Sequence, residues 1–177
     1  MPFHRARTVW TGTKGVGPRW QALRRTLSDE QVRTLLAATP GRLKVVSVGV
    51  SKQLLRTSSA EGGWSANDVL AHLRSCADVW GASIDRLVAE DSPTIRAVNP
   101  TTWIAGTDYP AWEFADALQA FTTERTRLLN VLGEADWSRA GTFTGAGRPL
   151  TRTVGSFAER LARHERPHVK QVERALA

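Results

Sequence analysis

Two histidines near the carboxyl-terminal end of the chain have the spacing of metal ligands. His164 and His168 lie four residues apart within the stretch LARHERPHVKQ. On a helix, residues four apart project from the same face, one turn from each other. Imidazole nitrogens bind zinc at about 2.0–2.1 Å, which two such rings can reach together. The pair therefore predicts two ligands for one metal ion.

The same stretch also fits H-E-x-x-H, a pattern typical of zinc proteases in which Glu165 would be the general base. Only nine residues follow His168, none of them is histidine, and Glu173 is too close to His168 to be the usual third ligand. Pro167 interrupts the hydrogen bonding of the helix between the two histidines. We therefore reject the protease interpretation and expect Glu165 to be a carboxylate in solvent or behind the metal ligands.

A third histidine, His72, lies in another apolar helical pattern. Val69, His72, Cys76 and Val79 recur at three- and four-residue spacing, which predicts one buried face of an amphipathic helix. A single buried histidine is more often a hydrogen-bonded core residue than a ligand. Three imidazoles on core-facing positions are costly to bury without a shared partner. The sequence thus predicts that His72, His164 and His168 bind one metal.

Three further residues are candidates for the pocket around this metal. Cys76, one turn after His72, is an additional ligand, a redox-sensitive thiol or simply a small buried residue. Arg125 interrupts an apolar pattern and either binds a substrate carboxylate or extends its guanidinium into solvent. Asp68, one turn before His72, either orients that ring or only caps the helix. The sequence assigns no catalytic residue.

Four amphipathic segments are available to position these residues. Ser28 with Gln31, and Ser65 with Asp68, are capping pairs that predict the starts of the first two helices. A third helix is predicted over residues 111–132, with Gly133 as its stop, and a fourth from about Thr153. We therefore predict an all-α protein, an antiparallel four-helix bundle.

The segments between these helices give weaker signals. Pro40 and Gly41 predict a break in the first helix. VVSVGV (residues 45–50) has strand propensity, but we interpret it as helical because no second strand signal pairs with it. Residues 141–151 are predicted as a loop. The long connection over residues 91–110 is expected to wall the pocket, with three candidate residues: Trp103, Asp108 and Tyr109.

The bulk composition is that of one folded domain. The 177 residues are 41% apolar and 23% charged, which suits a single domain with a substantial core. No apolar run approaches the roughly 20 residues that span a membrane. A single cysteine excludes an internal disulfide and fits a reducing compartment, so we expect a cytoplasmic protein.

The net charge of +7 is concentrated at the amino-terminal end. Residues 1–28 contain six basic residues and no acidic one, which leaves 18 basic against 17 acidic residues in the remainder. We predict a basic, loop-like or partly packed extension over residues 1–28, followed by the bundle over residues 29–177. A basic arm can contact phosphates, but a solvated extension explains it more simply. We therefore expect neither a nucleic acid nor a membrane as partner.

Several longer stretches together resemble the DinB-like superfamily of bacterial metal-binding four-helix bundles, which includes YfiT-like proteins. The resemblance covers roughly residues 30–177. Its most specific parts are a Trp-Ser cap leading to Ala-His-Leu and an H-x-x-x-H pair followed three residues later by Gln. The carrying stretches are GGWSANDVLAHL, NPTTW, DYPAWEFADALQAFTTERTRLL, DWSRAGTF and LARHERPHVKQVERAL.

The resemblance implies an up-down-down-up bundle with His72, His164 and His168 as metal ligands. It implies zinc as the usual metal, although nickel, iron or manganese also suit imidazole ligands. Characterised relatives include transferases and isomerases that use mycothiol or bacillithiol. The resemblance thus implies a thiol-dependent S-transferase or a related hydrolase acting on a small molecule. A metal-binding stress protein without catalysis is the alternative. Homodimers are compatible with such a bundle.

Overall fold

The computed structural model describes residues 26–58, 63–145 and 147–176. Within that part of the chain, four long helices account for most of the structure, together with short helices and strands in the connections. In chain order the elements are α1 (Asp29–Ser47), α2 (Lys52–Arg56), α3 (Ala66–Ala89), β1 (Thr94–Arg96), α4 (Pro100–Trp103), α5 (Phe114–Glu134), β2 (Ala140–Thr144), β3 (Leu150–Thr153) and α6 (Val154–Ala175). Two single-turn 3₁₀ helices, Ile104–Gly106 and Tyr109–Ala111, follow α4.

The four long helices form the predicted up-down-down-up bundle. Helices α1 and α3 each pack against both α5 and α6, so they lie diagonally opposite each other. Arg42 near the end of α1 contacts Glu173 near the end of α6, and these two helices therefore run in the same direction. Asp85 near the end of α3 contacts Arg127 in the second half of α5, so these two also run together. The fold prediction is confirmed.

Side-chain caps fix where two of the long helices begin. The Ser28 side chain accepts from the Gln31 backbone N–H while the Gln31 side chain accepts from the Ser28 backbone N–H. Ser65 and Asp68 make the same reciprocal pair at the start of α3. Each box satisfies amide groups that the first turn leaves without helical partners. Both predicted caps are confirmed.

The predicted break at Pro40 and Gly41 is wrong, because α1 continues through both residues to Ser47. Pro40 is buried between Leu36 and Leu43, and packing of that apolar face outweighs the helix hydrogen bond that proline removes. The stretch VVSVGV is divided: its first three residues finish α1 and the rest form a turn with Gly49 at φ +75°.

A small sheet occupies two connections that the sequence predicted as loops. β2 pairs with β1 in parallel and with β3 antiparallel, with Thr94 opposite Thr142 and Phe143 opposite Leu150. The sheet lies where α3 and α5 end and α6 begins. The loop prediction for residues 141–151 is therefore corrected: each strand has at most five residues and buries too few of them to give an alternating signal.

The core consists of two apolar clusters with a polar layer between them. On three of the helices, one buried polar side chain separates residues of the two clusters. Arg125 of α5 and Glu165 of α6 form a buried ion pair within this layer. The separating residues and their flanks are Thr39 between Leu36 and Leu43, Arg125 between Phe121 and Leu128, and Glu165 between Leu161 and Val169.

The predicted extension over residues 1–28 falls almost entirely outside the described residues and stays a prediction. Its last residues are described and contact the bundle. The Thr26 backbone N–H and hydroxyl donate to the Glu159 carboxylate, and Leu27 packs against the core. No helix within the described ranges combines the length and apolarity needed to cross a bilayer.

Candidate metal centre

The structure brings together the three histidines that the sequence singled out. His72 reaches the site from α3, while His164 and His168 reach it from successive turns of α6. One ring nitrogen of each imidazole lies within 4.8 Å of those of the other two. The Nε2 atoms of His72 and His164 are 3.0 Å apart, and ring centroids are 4.6–5.2 Å apart. Such convergence suits a single cation.

The outermost of these rings is held by a glutamine. The Nδ1–H of His168 donates to Oε1 of Gln171 over 3.0 Å. This hydrogen bond fixes the tautomer and leaves the lone pair on Nε2 of His168. A histidine whose second nitrogen is held in this way is typical of metal ligands. The site therefore contains three candidate metal ligands and a hydrogen bond that orients one of them, His168.

Burial keeps these imidazoles neutral. Burial, with a smaller contribution from the nearby His168, lowers the pKa of His72 to about 4. It likewise lowers the pKa of His164 to about 4, with added effects from His168, His72 and Arg160. Burial lowers the pKa of His168 as well, opposed by the hydrogen bond with Gln171. Neutral imidazole is the form that binds metals.

Two tryptophans frame the imidazoles. Trp64, just before α3, stacks on His168 with the ring planes 13° apart and meets the edge of His72 at 5.0 Å between centroids. Trp80, two turns after His72, meets His164 at 5.0 Å. Trp80 is buried, whereas Trp64 is 40% exposed. The centre is thus closed on the Trp80 side and accessible on the Trp64 side.

A cavity of about 270 Å³ opens beside His72. We call it the histidine cavity. The long connection supplies part of its wall, as predicted, but through other residues than those expected: Trp103 lines a different cavity, and the Tyr109 hydroxyl donates to Asp78. The histidine cavity is lined by Trp64, Asp68, Ala71, His72, Thr101, Ile104 and Pro110. A larger cavity of about 610 Å³, between α1, α2 and α5, contains none of the histidines.

Cys76 lies directly against the imidazoles. Its Sγ is 3.5 Å from Nε2 of His72 and 3.4 Å from Nε2 of His164. Burial and the nearby Glu165 raise the pKa of the thiol to about 12, while Arg160 opposes this rise. Without a cation, the sulfur is therefore a neutral thiol at physiological pH. A thiol of this kind is a poor nucleophile.

Arg125 and Glu165 differ from the sequence-based expectations. Arg125 is 3% exposed and Glu165 is 1% exposed, so the predictions of a guanidinium in solvent and of a solvated Glu165 are wrong. The Arg125 guanidinium faces the Glu165 carboxylate. Burial raises the pKa of Glu165 and the charge of Arg125 opposes the rise. Glu165 points towards α5, because it lies one position past His164 on the helix.

Asp68 lines the histidine cavity, but its carboxylate Oδ2 accepts hydrogen bonds from the backbone and hydroxyl of Ser65. Its observed role is therefore the helix cap.

The sequence interpretation missed the contribution of three aromatic or basic residues around the histidines. Their signals were present as helical spacing: Trp80 follows Cys76 by four residues, Arg160 precedes His164 by four, and Trp64 precedes the α3 cap.

Comparison with known proteins agrees with this architecture. A family model described as the DinB superfamily matches residues 19–172. Among solved structures, the chain is similar to YfiT from Bacillus subtilis, with a TM-score of 0.72 and 19% identity, over 86% of this chain and 89% of YfiT. YfiT is described as a probable metal-dependent hydrolase with an unusual four-helix bundle topology. At this identity the likeness establishes the fold. A search of curated proteins finds no significant match.

Proposed function

The chain belongs to the DinB superfamily, and on that premise we propose that it is a metal-dependent hydrolase with His72, His164 and His168 as metal ligands. The supporting observation is that these three imidazoles, from two different helices, bring one nitrogen each within 4.8 Å of the others. The described relative YfiT, a probable metal-dependent hydrolase, supports the same reaction class.

The donor set fits a divalent metal. Three neutral imidazoles, one of them oriented by Gln171, suit zinc best, and nickel, iron and manganese also accept such ligands. A metal held by three protein ligands keeps a position free and lowers the pKa of a coordinated water to about 7. Around it, Trp80 excludes solvent from His164, and the histidine cavity gives a small substrate access beside His72.

Metal binding is tested first, apart from catalysis. We expect the purified full chain to hold about one equivalent of metal per molecule and to bind zinc at least about tenfold more tightly than His168→Ala. His4→Ala is the matched control, since it removes the fourth histidine of the chain and leaves the proposed ligands intact. Equal affinity in the wild type and His168→Ala would rule out the proposed ligand set.

Hydrolysis is tested with the metal-loaded protein on activated aryl esters. We expect turnover that a chelator abolishes, that added metal restores and that His168→Ala lacks. If stoichiometric metal binds but no ester or amide in a broad panel is cleaved, the hydrolase assignment fails. The protein would then belong to the second class expected from the sequence, a metal-binding protein without catalysis.

A thiol-dependent S-transferase is a second candidate for the same centre. It is supported by Cys76, whose sulfur lies 3.4–3.5 Å from two of the proposed ligand nitrogens, so the imidazoles are compatible with a neighbouring thiol. A cationic metal favours the thiolate form of a bound thiol, which is the nucleophilic one. Conjugation of mycothiol or bacillithiol to a model electrophile, absent in His168→Ala, would distinguish transfer from hydrolysis. In either case we propose a small-molecule substrate and a cytoplasmic location.

A further inference from the structure

A second cavity next to the metal centre carries a concentration of positive charge. It has a volume of about 420 Å³ and lies between α3, α6 and the small sheet. We call it the arginine cavity. None of the described residues that line it is Asp or Glu. Its basic and aromatic residues are Arg148, Arg152, Arg160, Trp80, Phe143 and Phe157.

The arginine cavity lies close to the imidazoles, with the Trp80 ring between the cavity and His164. Arg160, His164 and His168 are spaced four residues apart on α6, so they share one face of the helix. The Arg160 guanidinium carbon lies 4.3 Å from the centroid of the Trp80 ring, and that ring meets His164 at 5.0 Å. Helix α4 separates the two cavities: Pro100 lines the arginine cavity and Thr101 lines the histidine cavity.

Within the described ranges, no carboxylate forms an ion pair with Arg160. Its charged or ionisable neighbours there are Arg152 and the Cys76 thiol. Burial and the proximity of Arg152 lower the pKa of Arg160, yet a guanidinium stays protonated in proteins. A guanidinium that has no carboxylate beside it favours a bound anion, which supplies the counter-charge through charge-assisted hydrogen bonds.

We propose that the arginine cavity is an anion-binding site, in which Arg160 and Arg148 bind a small molecule that carries a carboxylate or phosphate group. Arginine forms paired hydrogen bonds with both kinds of group, and the aromatic walls accommodate an apolar part of the same molecule.

Anion binding is tested without catalysis. Succinate and, separately, inorganic phosphate are titrated into the metal-loaded full chain, and the Nε–Hε signals of the arginine side chains are followed by nuclear magnetic resonance. We expect saturable shifts at Arg160 and Arg148, and binding weakened about tenfold or more in Arg160→Gln. Arg160→Lys should keep part of the affinity. Shifts with only one of the two probes would identify the anionic group.

The matched control is Arg166→Gln, which removes the same charge from a position of α6 that does not line the arginine cavity and should change the affinity less than about twofold. Equal losses in Arg160→Gln and Arg166→Gln, or no saturable shift at Arg160 with either probe, would overturn the anion-binding site. Equal losses of anion affinity in the two variants would mean that the affinity depends only on the net charge of the protein.

Discussion

The Nδ1–H of His168 donates to Oε1 of Gln171, one turn further along α6. This contact determines which nitrogen of His168 remains free, because an imidazole that donates from Nδ1 presents its lone pair at Nε2. It also holds the ring in place against Trp64, with which it is stacked. Gln171 therefore acts on the proposed metal through the orientation of a ligand.

The substitution Gln171→Leu removes this acceptor while keeping a side chain of similar size. We expect the zinc affinity to fall by about 10–100-fold, measured by competition with a chromophoric chelator. Gln119→Leu, at an exposed position of α5, is the matched control and should leave the affinity unchanged. An unaltered affinity in Gln171→Leu would mean that the tautomer of His168 is set by other contacts.

The ion pair of Arg125 and Glu165 gives a second prediction, about stability. Both side chains are at least 97% buried, and Arg125 Nε and Nη1 and Glu165 Oε2 lack partners among the described residues. The substitution Arg125→Met leaves a buried carboxylate without its counter-charge. We expect it to lower the free energy of unfolding by about 3–5 kcal/mol, measured by urea denaturation of the metal-free protein.

Two comparisons test the cause of that loss. The double variant Arg125→Met with Glu165→Leu removes both charges and should recover most of the lost stability, because an apolar pair of similar volume replaces a costly buried one. Arg86→Met breaks an exposed pair with Glu90 and should have little effect. If the double variant is as unstable as the single one, packing and not the unpaired charge explains the loss.

The sequence predicted the four long helices and the helix faces that carry the three histidines, because both are visible as helical spacing. His164 and His168 are on one face whatever the tertiary structure, and the caps at Ser28 and Ser65 are local interactions. Spacing along one helix does not, however, predict which residue of another helix a side chain contacts. The pairing of Arg125 with Glu165 joins residues 40 apart in sequence. It forms across the core of the bundle, between two helices that lie diagonally opposite each other, so only the tertiary structure decides it.

The sheet and the arginine cavity were missed for a related reason. β1 and β2 contain few buried residues, Ile95 in β1 and Gly141 and Phe143 in β2. These are too few to produce an alternating pattern in the sequence. Arg160 shares the spacing of the histidines, but a basic residue at that spacing is ordinarily a solvated one. The surroundings of Arg160 depend on its contact with Trp80, which lies on a different helix, α3.

The lowered pKa values of the histidines predict how stability depends on pH in the metal-free protein. An unfolded histidine binds a proton near pH 6.5, whereas the folded pKa values of His72 and His164 are about 4. Between these limits the unfolded state binds more protons, so the free energy of unfolding falls as the pH falls from about 6.5 to about 4. Urea denaturation at several pH values measures this slope.

The contribution of the histidines is isolated by comparing variants. His72→Gln combined with His164→Gln removes two of the titrating groups and should flatten the slope over this window. The raised pKa of buried Glu165 has the opposite sign, since it favours the folded state at lower pH. Glu165 is present in both proteins, so their difference reports the histidines. Parallel slopes would show that the imidazoles protonate freely in the folded state.

Gly141 in β2 supplies the last prediction, which concerns the sheet at the end of the bundle. A Cβ at this position would lie 2.6 Å from the carbonyl oxygen of Pro93 and 2.9 Å from Cδ2 of Leu87. The Pro93 oxygen also accepts from the Thr142 backbone N–H, so it cannot withdraw without loss of that bond. We expect Gly141→Ala to lower the free energy of unfolding by about 1–3 kcal/mol, measured by urea denaturation.

Gly133→Ala is the contrasting control: Gly133 is exposed in the last turn of α5, where an added Cβ meets nothing within 4 Å. That substitution should stabilise the protein by up to about 1 kcal/mol, because alanine favours the helix. A neutral Gly141→Ala would indicate that the β1–β2 junction can shift away from the added methyl group.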